Sequence, residues 1–217
     1  MDEMNGKNPA ANVEPLIAEA KKYKTAEEFV KAQGNPFKDS VVQEPVYHGS
    51  LDFQGEQFDV SKRGQSTKAK SAEKAFWFST EDVAKTYAED IPDPNAGVWD
   101  FLGDLAPKQN KSNPSVTQSY ISLKNPLVHD FKGKSYRDVS YIKLIEKAIS
   151  EGHDGVIFKN TIDNVGSKVN PIISNVYGVF DPKQIKTKAD LTSIWNKAQE
   201  GKGKLGTINP IEKIKGI

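Results

Sequence analysis

Three short stretches of this 217-residue sequence carry side chains that could act together on a nucleotide. The first, residues 46–50, is predicted to be a strand that presents His48 followed by a glycine. A glycine lets a ligand approach the main chain, and functional groups concentrate where a strand gives way to a loop. The second stretch, residues 76–80, leads into a helix that carries Tyr87, and the third covers residues 176–180. The pattern indicates one wall of a nucleotide pocket at His48.

Few other residues could carry chemistry. The chain has no cysteine, which excludes disulfides, thiolate metal ligands and a cysteine nucleophile. The two remaining histidines, His129 and His153, have no second ligand at metal spacing, so we predict no metal site. The sequence also contains no GxSxG elbow, no P-loop and no GxGxxG motif.

Both leading candidates also have a purely structural interpretation. His48 could be a histidine at the edge of the core whose ring is satisfied by a backbone carbonyl. Tyr87 lies four residues after Val83 on the predicted helix, so it could simply belong to the packed helix face. Only the joint occurrence of the stretches, in this order, favours a functional interpretation.

Charge and composition predict a soluble protein. Thirty Lys and Arg residues balance 29 Asp and Glu residues, so the formal net charge is +1. This balance does not favour a broad nucleic-acid or membrane surface, and a substrate must be recognised locally. The first thirty residues lack the apolar core of a secretory signal, and no apolar run approaches the roughly 18 residues that span a bilayer. We therefore expect a cytoplasmic protein that does not enter a membrane.

Hydrophobic periodicity predicts the elements that must position these residues. Short strands joined mostly by non-helical connections favour an α+β fold built on antiparallel sheet. Thr25 and Glu28 form a predicted capping box, and the residues from Ser135 to Asp138 a predicted helix cap. The periodicity predicts strands at 45–50, 75–79, 116–123, 155–158 and 176–180, and helices over 13–23, from Thr25 to Ala32, from Thr80, from Val139 to Ile149 and from Leu191 to Ala198.

The predicted organisation is one domain with appendages. We expect a disordered start and a helical arm over residues 1–43, a domain over 44–200 that includes the last helix, and a flexible tail over 201–217. Two long polar loops interrupt the domain, at 51–74 and 91–115. Loops of this length in a compact domain are either functional or disordered.

The loops contain two features of their own. The second loop has an apolar anchor at residues 98–102. The first has basic residues from Lys62 to Lys74, which could meet phosphate groups or an acidic acceptor, or could be solvated with no fixed role. Arg63 is the strongest candidate for phosphate, because a guanidinium group suits phosphate oxygens.

The ordered set of motifs resembles the ADP-ribosyltransferase superfamily. The similarity is to its diphtheria-toxin-like branch, which includes the poly- and mono(ADP-ribosyl) polymerases and the transferase domains of phage and mobile-element polyvalent proteins. It extends over residues 44–188. The matching segments are 46–50, 78–80 with Tyr87 and Ala88, 120–127, 154–157 and 177–186.

The resemblance implies a split antiparallel sheet with peripheral helices that holds NAD⁺ between its halves. It implies that His48 hydrogen-bonds a ribose hydroxyl, that the Gly49 main chain binds the nicotinamide carboxamide and that Tyr87 stacks on the nicotinamide ring. Trp77 or Phe78 would support the other side of that ring. Ser79, from the same motif, would also line the NAD⁺ site, with Arg63 near the pyrophosphate.

One position departs from the family pattern. The glutamate that the polymerase branch carries at the start of the last of these strands is replaced by Val176. Asn175 is adjacent, but its side chain would point to the opposite face of the strand unless a bulge re-aims it. Chain elongation is therefore not expected. In an active enzyme the acceptor would supply its own carboxylate, or Asn175 would contribute hydrogen bonds without acting as a base.

These implications predict a mono(ADP-ribosyl)transferase, an enzyme of the glycosyltransferase class, encoded by a phage or mobile element and acting in the bacterial cytoplasm. NAD⁺ would be the substrate, a protein or nucleic acid the acceptor, and no metal would take part. The first alternative is a degenerate fold that binds NAD⁺ or ADP-ribose or acts as a structural module. The second keeps the fold but performs RNA 2′-phosphotransfer, which the near-neutral charge disfavours, or NAD⁺ hydrolysis.

Overall fold

The computed structural model describes residues 13–51, 58–64, 69–88 and 114–200. The predicted disordered start, the apolar anchor at 98–102 and the predicted tail lie outside the described residues. Contacts divide the chain into two units, one formed by the described residues up to Gln33 with those from Ala189 onward, and one formed by Gly34–Lys188. The predicted boundaries at 44 and 200 remain a prediction.

The first unit is helical. Its helices are α1 (Glu14–Ala20), α2 (Ala26–Gln33) and, from Ala189 onward, the last helix, α6 (Lys188–Glu200). The Thr25 hydroxyl accepts the Glu28 N–H at 3.1 Å, as the predicted capping box requires, while the Glu28 carboxylate accepts the N–H of Lys24. The Trp195 indole N–H donates to the Tyr23 carbonyl at 3.3 Å and so ties α6 to the end of the arm.

The second unit contains two sheets and confirms the predicted α+β class. The first sheet has the order β1-β3-β7 and is antiparallel throughout, and the second has the order β2-β6-β5-β4. The pair β4 and β5 is parallel, because the helix at Asp138–Ser150 carries the chain back between them in a crossover. The strands are β1 (Val46–Ser50), β2 (Phe76–Phe78), β3 (Ser115–Ile121), β4 (Leu127–Asp130), β5 (Gly155–Ile162), β6 (Ile173–Val179) and β7 (Ile185–Thr187).

Helices α3 (Lys70–Lys74), α4 (Glu81–Ala88) and α5 (Asp138–Ser150) belong to the same unit. The predicted cap of α5 is wrong in one respect, since Arg137 is the N-cap residue and makes no side-chain cap hydrogen bond. Asp138 instead accepts the N–H groups of Lys70 and Ser71, at 3.3 and 2.9 Å, and thereby caps α3. The cap of this five-residue helix thus comes from another element.

Two apolar clusters pack against the second sheet, and alternation along β2 separates them. Phe76 and Phe78 enter the first cluster, while Trp77 packs against the second. The first cluster consists of Val42, Val46, Phe58, Phe76, Phe78, Ile121, Leu123, Ile157, Val179 and Ile185. The second, under α5, consists of Leu127, Phe131, Tyr141, Ile145, Ala148, Val156, Phe158 and Val176.

A single amide connects three loops of this unit. The Gln184 side chain donates to the carbonyls of Ser122 and Asp154 at 2.7 and 2.9 Å. The Asp154 carboxylate accepts the N–H groups of Lys124 and Asn125 at 2.6 and 3.1 Å. These contacts link the turn after β3, the start of β5 and the turn before β7.

Candidate functional site

The two sheets meet and separate at the predicted His-Gly motif. Tyr47, on β1, and Ser79, the residue after β2, exchange two main-chain hydrogen bonds of 2.9 Å, and among the described residues this is the one bridge between the two strand segments. In an antiparallel pair the next bonded partners would be Gly49 and Trp77. The Trp77 carbonyl instead accepts a hydrogen bond from Nδ1 of His48 at 2.8 Å. His48 therefore stands where the ladder would continue, and the register of β1 turns the N–H and C=O of Gly49 to the β2 side, toward the gap that the described residues leave in the ladder.

The contact with Trp77 also fixes the tautomer of His48. A carbonyl oxygen can only accept, so Nδ1 carries the proton and Nε2 is the acceptor of the neutral ring. Burial lowers the pKa of His48 below its ordinary value, and the hydrogen bond to Trp77 opposes this shift only in part. The carbonyl contact is the one that a purely structural histidine would make, and in this tautomer Nε2 is an acceptor.

The rings around His48 belong to the first cluster. Phe58 meets the imidazole edge-on with 5.1 Å between ring centroids, and Phe78 lies at 5.8 Å. Phe78 is only 2% exposed. The structure thus places Phe78 beside His48, as a supporting ring of the apolar cluster.

Gly49 is required by a close helix contact. A Cβ atom at this position would lie 1.8 Å from the main-chain oxygen of Ala84, on α4. Since no side chain fits there, only glycine lets α4 approach β1 so closely. Tyr87 follows Ala84 by one helical turn, so the same contact helps to set the position of Tyr87.

Tyr87 is half-buried and bonded to a residue that the sequence did not single out. Its hydroxyl donates to Oδ1 of Asp163 at 2.8 Å, and the Tyr141 hydroxyl donates to Oδ2 of the same carboxylate at 3.0 Å. Burial is the main cause that raises the pKa of Tyr87, followed by the charge of Asp163. Burial likewise raises the pKa of Asp163, against the two hydroxyl donors. Asp163 directly follows β5, but the strand predicted from the sequence ended at Phe158, so no local signal marked Asp163.

The chain after Asp163 forms a turn that docks on α4. The Val165 N–H donates to Oγ1 of Thr86 at 3.1 Å. The Asn164 side chain donates to the carbonyls of Val165 and Asn170 and accepts the N–H of Ile172, each at 2.9 Å. One amide therefore fixes the shape of the connection between β5 and β6.

Trp77 and Ser79 lie on the face of β2 opposite to Phe78. The Trp77 ring packs 5.3 Å from that of Tyr141, and its indole N–H donates to the Ser71 carbonyl at 3.2 Å. The Ser79 hydroxyl donates to the Asn175 carbonyl at 2.7 Å. Trp77 and Phe78 therefore cannot both line the same surface of the strand.

The start of β6 contains no carboxylate. Val176 is 3% exposed within the second cluster. Oδ1 of Asn175 accepts the N–H of Asn160 at 3.3 Å. Asn160 has a φ of 51° and lies in the bulge that interrupts β5. The bulge thus occurs on the partner strand, and the amide of Asn175 fills the interrupted ladder.

Arg63 is packed into the unit rather than extended from it. Its guanidinium lies 4.2 Å from the centroid of the Phe76 ring and donates to the carbonyls of Phe180 and Lys74. Burial lowers the pKa of Arg63, and the nearby Asp181 partly offsets this effect. These contacts give Arg63 a structural task, and its predicted contact with a pyrophosphate remains a prediction.

Two features are absent from the part of the chain that the structure describes. There, no three His, Cys, Asp or Glu side chains come together in a way that could hold a metal ion. In the same residues, no helix has the length and apolar character needed to cross a membrane.

Comparison with known proteins identifies a family for this chain. A family model described as ADP-ribosyltransferase in polyvalent proteins matches residues 42–193, well over half of the chain. The matched range contains His48, Gly49, Tyr87, Asp163 and Asn175. No curated protein and no solved structure matches the chain.

Proposed function

Because the chain belongs to the family of ADP-ribosyltransferases in polyvalent proteins, we propose that it is a mono(ADP-ribosyl)transferase, which moves ADP-ribose from NAD⁺ to a macromolecule. The observation that carries this proposal is the separation of β1 from β2 at His48, which turns the Gly49 main chain toward a gap beside α4. The acceptor is a protein or a nucleic acid of a bacterial host, and the protein acts in the cytoplasm as part of a phage or mobile element.

NAD⁺ fits this gap by its chemistry. A carboxamide carries one acceptor and one donor group, which complement the N–H and C=O of Gly49 in a two-point contact. Nε2 of His48 accepts a hydrogen bond from a ribose hydroxyl. The Tyr87 ring stacks on the nicotinamide ring, an offset arrangement that aromatic pairs prefer.

The reaction replaces one bond at the ribose. The bond between ribose C1′ and the nicotinamide nitrogen breaks, and its electron pair returns to the now neutral ring. The acceptor nucleophile forms the new bond to C1′ and loses its proton to water or to a carboxylate of the acceptor itself. Holding the leaving ring and the ribose rigidly lowers the barrier to this step. A single transfer is expected because Val176 stands where chain elongation needs a glutamate.

Labelled NAD⁺ provides the test. Incubation of the protein with bacterial lysate should release nicotinamide and attach labelled ADP-ribose to a macromolecule. His48→Ala and Tyr87→Ala should abolish both signals, since each removes a proposed contact with NAD⁺. The control His129→Ala changes an exposed residue on β4 and should keep both signals. Unchanged activity in His48→Ala and Tyr87→Ala would overturn the proposal.

A second candidate function is binding without catalysis. It is favoured by the burial of Val176 and by the use of the Asn175 amide within the sheet, because both leave the start of β6 without a base. Binding of NAD⁺ or ADP-ribose without release of nicotinamide would support this candidate. Release of nicotinamide without labelling of a macromolecule would instead indicate NAD⁺ hydrolysis. Absence of NAD⁺ binding would exclude transfer, binding and hydrolysis, and would leave a structural module.

A further inference from the structure

We propose that Asp163 is a positioning residue, which holds the Tyr87 ring in the orientation that stacks on nicotinamide. This inference rests on the proposed function and deepens it. Tyr87 cannot fix its own ring, since the ring can swing about the two side-chain torsions on a helix that ends at Ala88. A partner for its hydroxyl is therefore needed, and Asp163 is that partner.

The carboxylate is itself held from the opposite side. Its second oxygen accepts the hydroxyl of Tyr141, which is 1% exposed and lies in the second cluster on α5. The Tyr141 ring packs against Phe158 at 4.3 Å and against Trp77 at 5.3 Å between centroids. Asp163 thus connects a ring on α4 to a ring that the core immobilises.

Residues close to Tyr87 and Asp163 in the chain form a second contact between α4 and the segment 163–165. Thr86 and Tyr87 are consecutive on α4, and they bond to Val165 and Asp163 respectively. The Asn164 side chain between them closes the turn with three hydrogen bonds. The segment 163–165 therefore holds the last turn of α4 at two points.

Removal of the carboxylate should loosen Tyr87 without unfolding the site. Without Asp163, the half-buried Tyr87 hydroxyl loses the one side-chain acceptor that it has among the described residues, so it should bond to water instead, and the ring should move with it. A loose ring must be ordered again whenever NAD⁺ binds, which weakens binding more than it slows the bond-breaking step. We expect Asp163→Ala to raise the KM for NAD⁺ about tenfold, with a smaller change in kcat.

Further variants distinguish a positioning role of Asp163 from a purely structural one. Asp163→Asn keeps one acceptor oxygen, so it should rescue part of the KM. Tyr141→Phe removes the hydroxyl that holds the carboxylate but spares the Tyr87 contact, so it should raise the KM less than Asp163→Ala does. Tyr87→Phe in the Asp163→Ala background should cause no further rise, because both changes remove one interaction. A purely structural role would lower the melting temperature and the active fraction and leave KM unchanged, and that result would overturn the proposal.

A second measurement does not depend on NAD⁺ turnover. The chain has seven tyrosines, so ring-labelled tyrosine gives few NMR signals, and Tyr87→Phe identifies the signal of Tyr87. In Asp163→Ala this signal should shift toward that of a mobile ring, while the Tyr177 signal stays in place. An unchanged Tyr87 signal would overturn the positioning role even if the wild-type enzyme is active. Failure of the wild-type protein to bind NAD⁺ would reject the proposed function, and the ring signal would still decide whether Asp163 orients Tyr87.

Discussion

The two ring nitrogens of His48 have separate roles, one observed and one proposed. Nδ1 donates to the Trp77 carbonyl and keeps β1 apart from β2, while Nε2 has the acceptor character that the proposed ribose contact requires. The imidazolium would still donate from Nδ1, so only the acceptor role of Nε2 needs the neutral ring, and burial favours that form. Protonation of His48 at low pH should therefore lower both the stability of the protein and its affinity for NAD⁺.

The first prediction concerns this response. The pKa of His48 is lowered in the folded state, whereas the unfolded chain has the ordinary value of about 6.5. Below that pH the unfolded state binds more protons, so the free energy of unfolding should fall as the pH drops from 7 to 5. Urea unfolding across this range measures the slope. His48→Gln should flatten the slope, and an equal slope in His48→Gln and in the control His129→Gln would contradict the prediction.

The second prediction concerns Arg63. Loss of its carbonyl contacts and of the Phe76 ring contact in Arg63→Met should lower the free energy of unfolding by about 1 to 3 kcal/mol. Chemical unfolding measures this change, with Lys62→Met as a control at an exposed position. Full stability combined with weaker NAD⁺ binding would instead favour the pyrophosphate contact that the sequence suggested.

At the scale of elements, the contact between β1 and α4 sets the position of Tyr87. Gly49→Ala would place a methyl group against the Ala84 carbonyl, which cannot yield as a side chain could. We expect a loss of about 1 to 3 kcal/mol in the free energy of unfolding together with weaker NAD⁺ binding, because α4 must move. Gly166→Ala is a useful control, since its Cβ would meet no atom within 4 Å and only its positive φ is strained. Wild-type stability and affinity in Gly49→Ala would contradict the prediction.

The elements themselves could largely be predicted from the sequence, because their signals are local. Alternation predicted β1, and helical periodicity predicted α4 and α5 close to their observed bounds. β6 begins at Ile173, three residues before the predicted start, because its first residues pair across the bulge of β5. The bulge and the parallel pairing of β4 depend on contacts between distant segments, which periodicity does not report.

In the candidate site too, the sequence reveals the residues that stand in local motifs and does not reveal those that depend on distant contacts. His48, Gly49 and Tyr87 stand in short motifs that can be recognised one at a time. Asp163 could not be identified from a short motif, because 76 residues separate it from Tyr87 and no local pattern links the two. Part of the family resemblance came from residues such as Asp154 and Gln184, which brace loops and do not touch the proposed ligand contacts. Motifs of this kind identify the fold more securely than the chemistry.

At the scale of the whole molecule, contacts divide the chain into the unit of α1, α2 and the last helix and the unit of Gly34–Lys188. Trp195→Ala removes the bond to the Tyr23 carbonyl and should open the helical unit. Hydrogen exchange followed by mass spectrometry should show faster exchange in α1 and α2, with unchanged protection in β3, β5 and β6. Equal acceleration in the strands would show that the two units open together.

The cap of α3 has a consequence for the order of folding. A helix of five residues is too short to form alone, and its first two N–H groups find their acceptor only in Asp138, 67 residues later for Ser71. Residues 70–74 should therefore become helical only after α5 has docked, late in the folding reaction. The indole of Trp77 bonds to the Ser71 carbonyl, so it should also become immobilised only after α5 has docked. Its fluorescence would then change in the last kinetic phase, after the strands have paired.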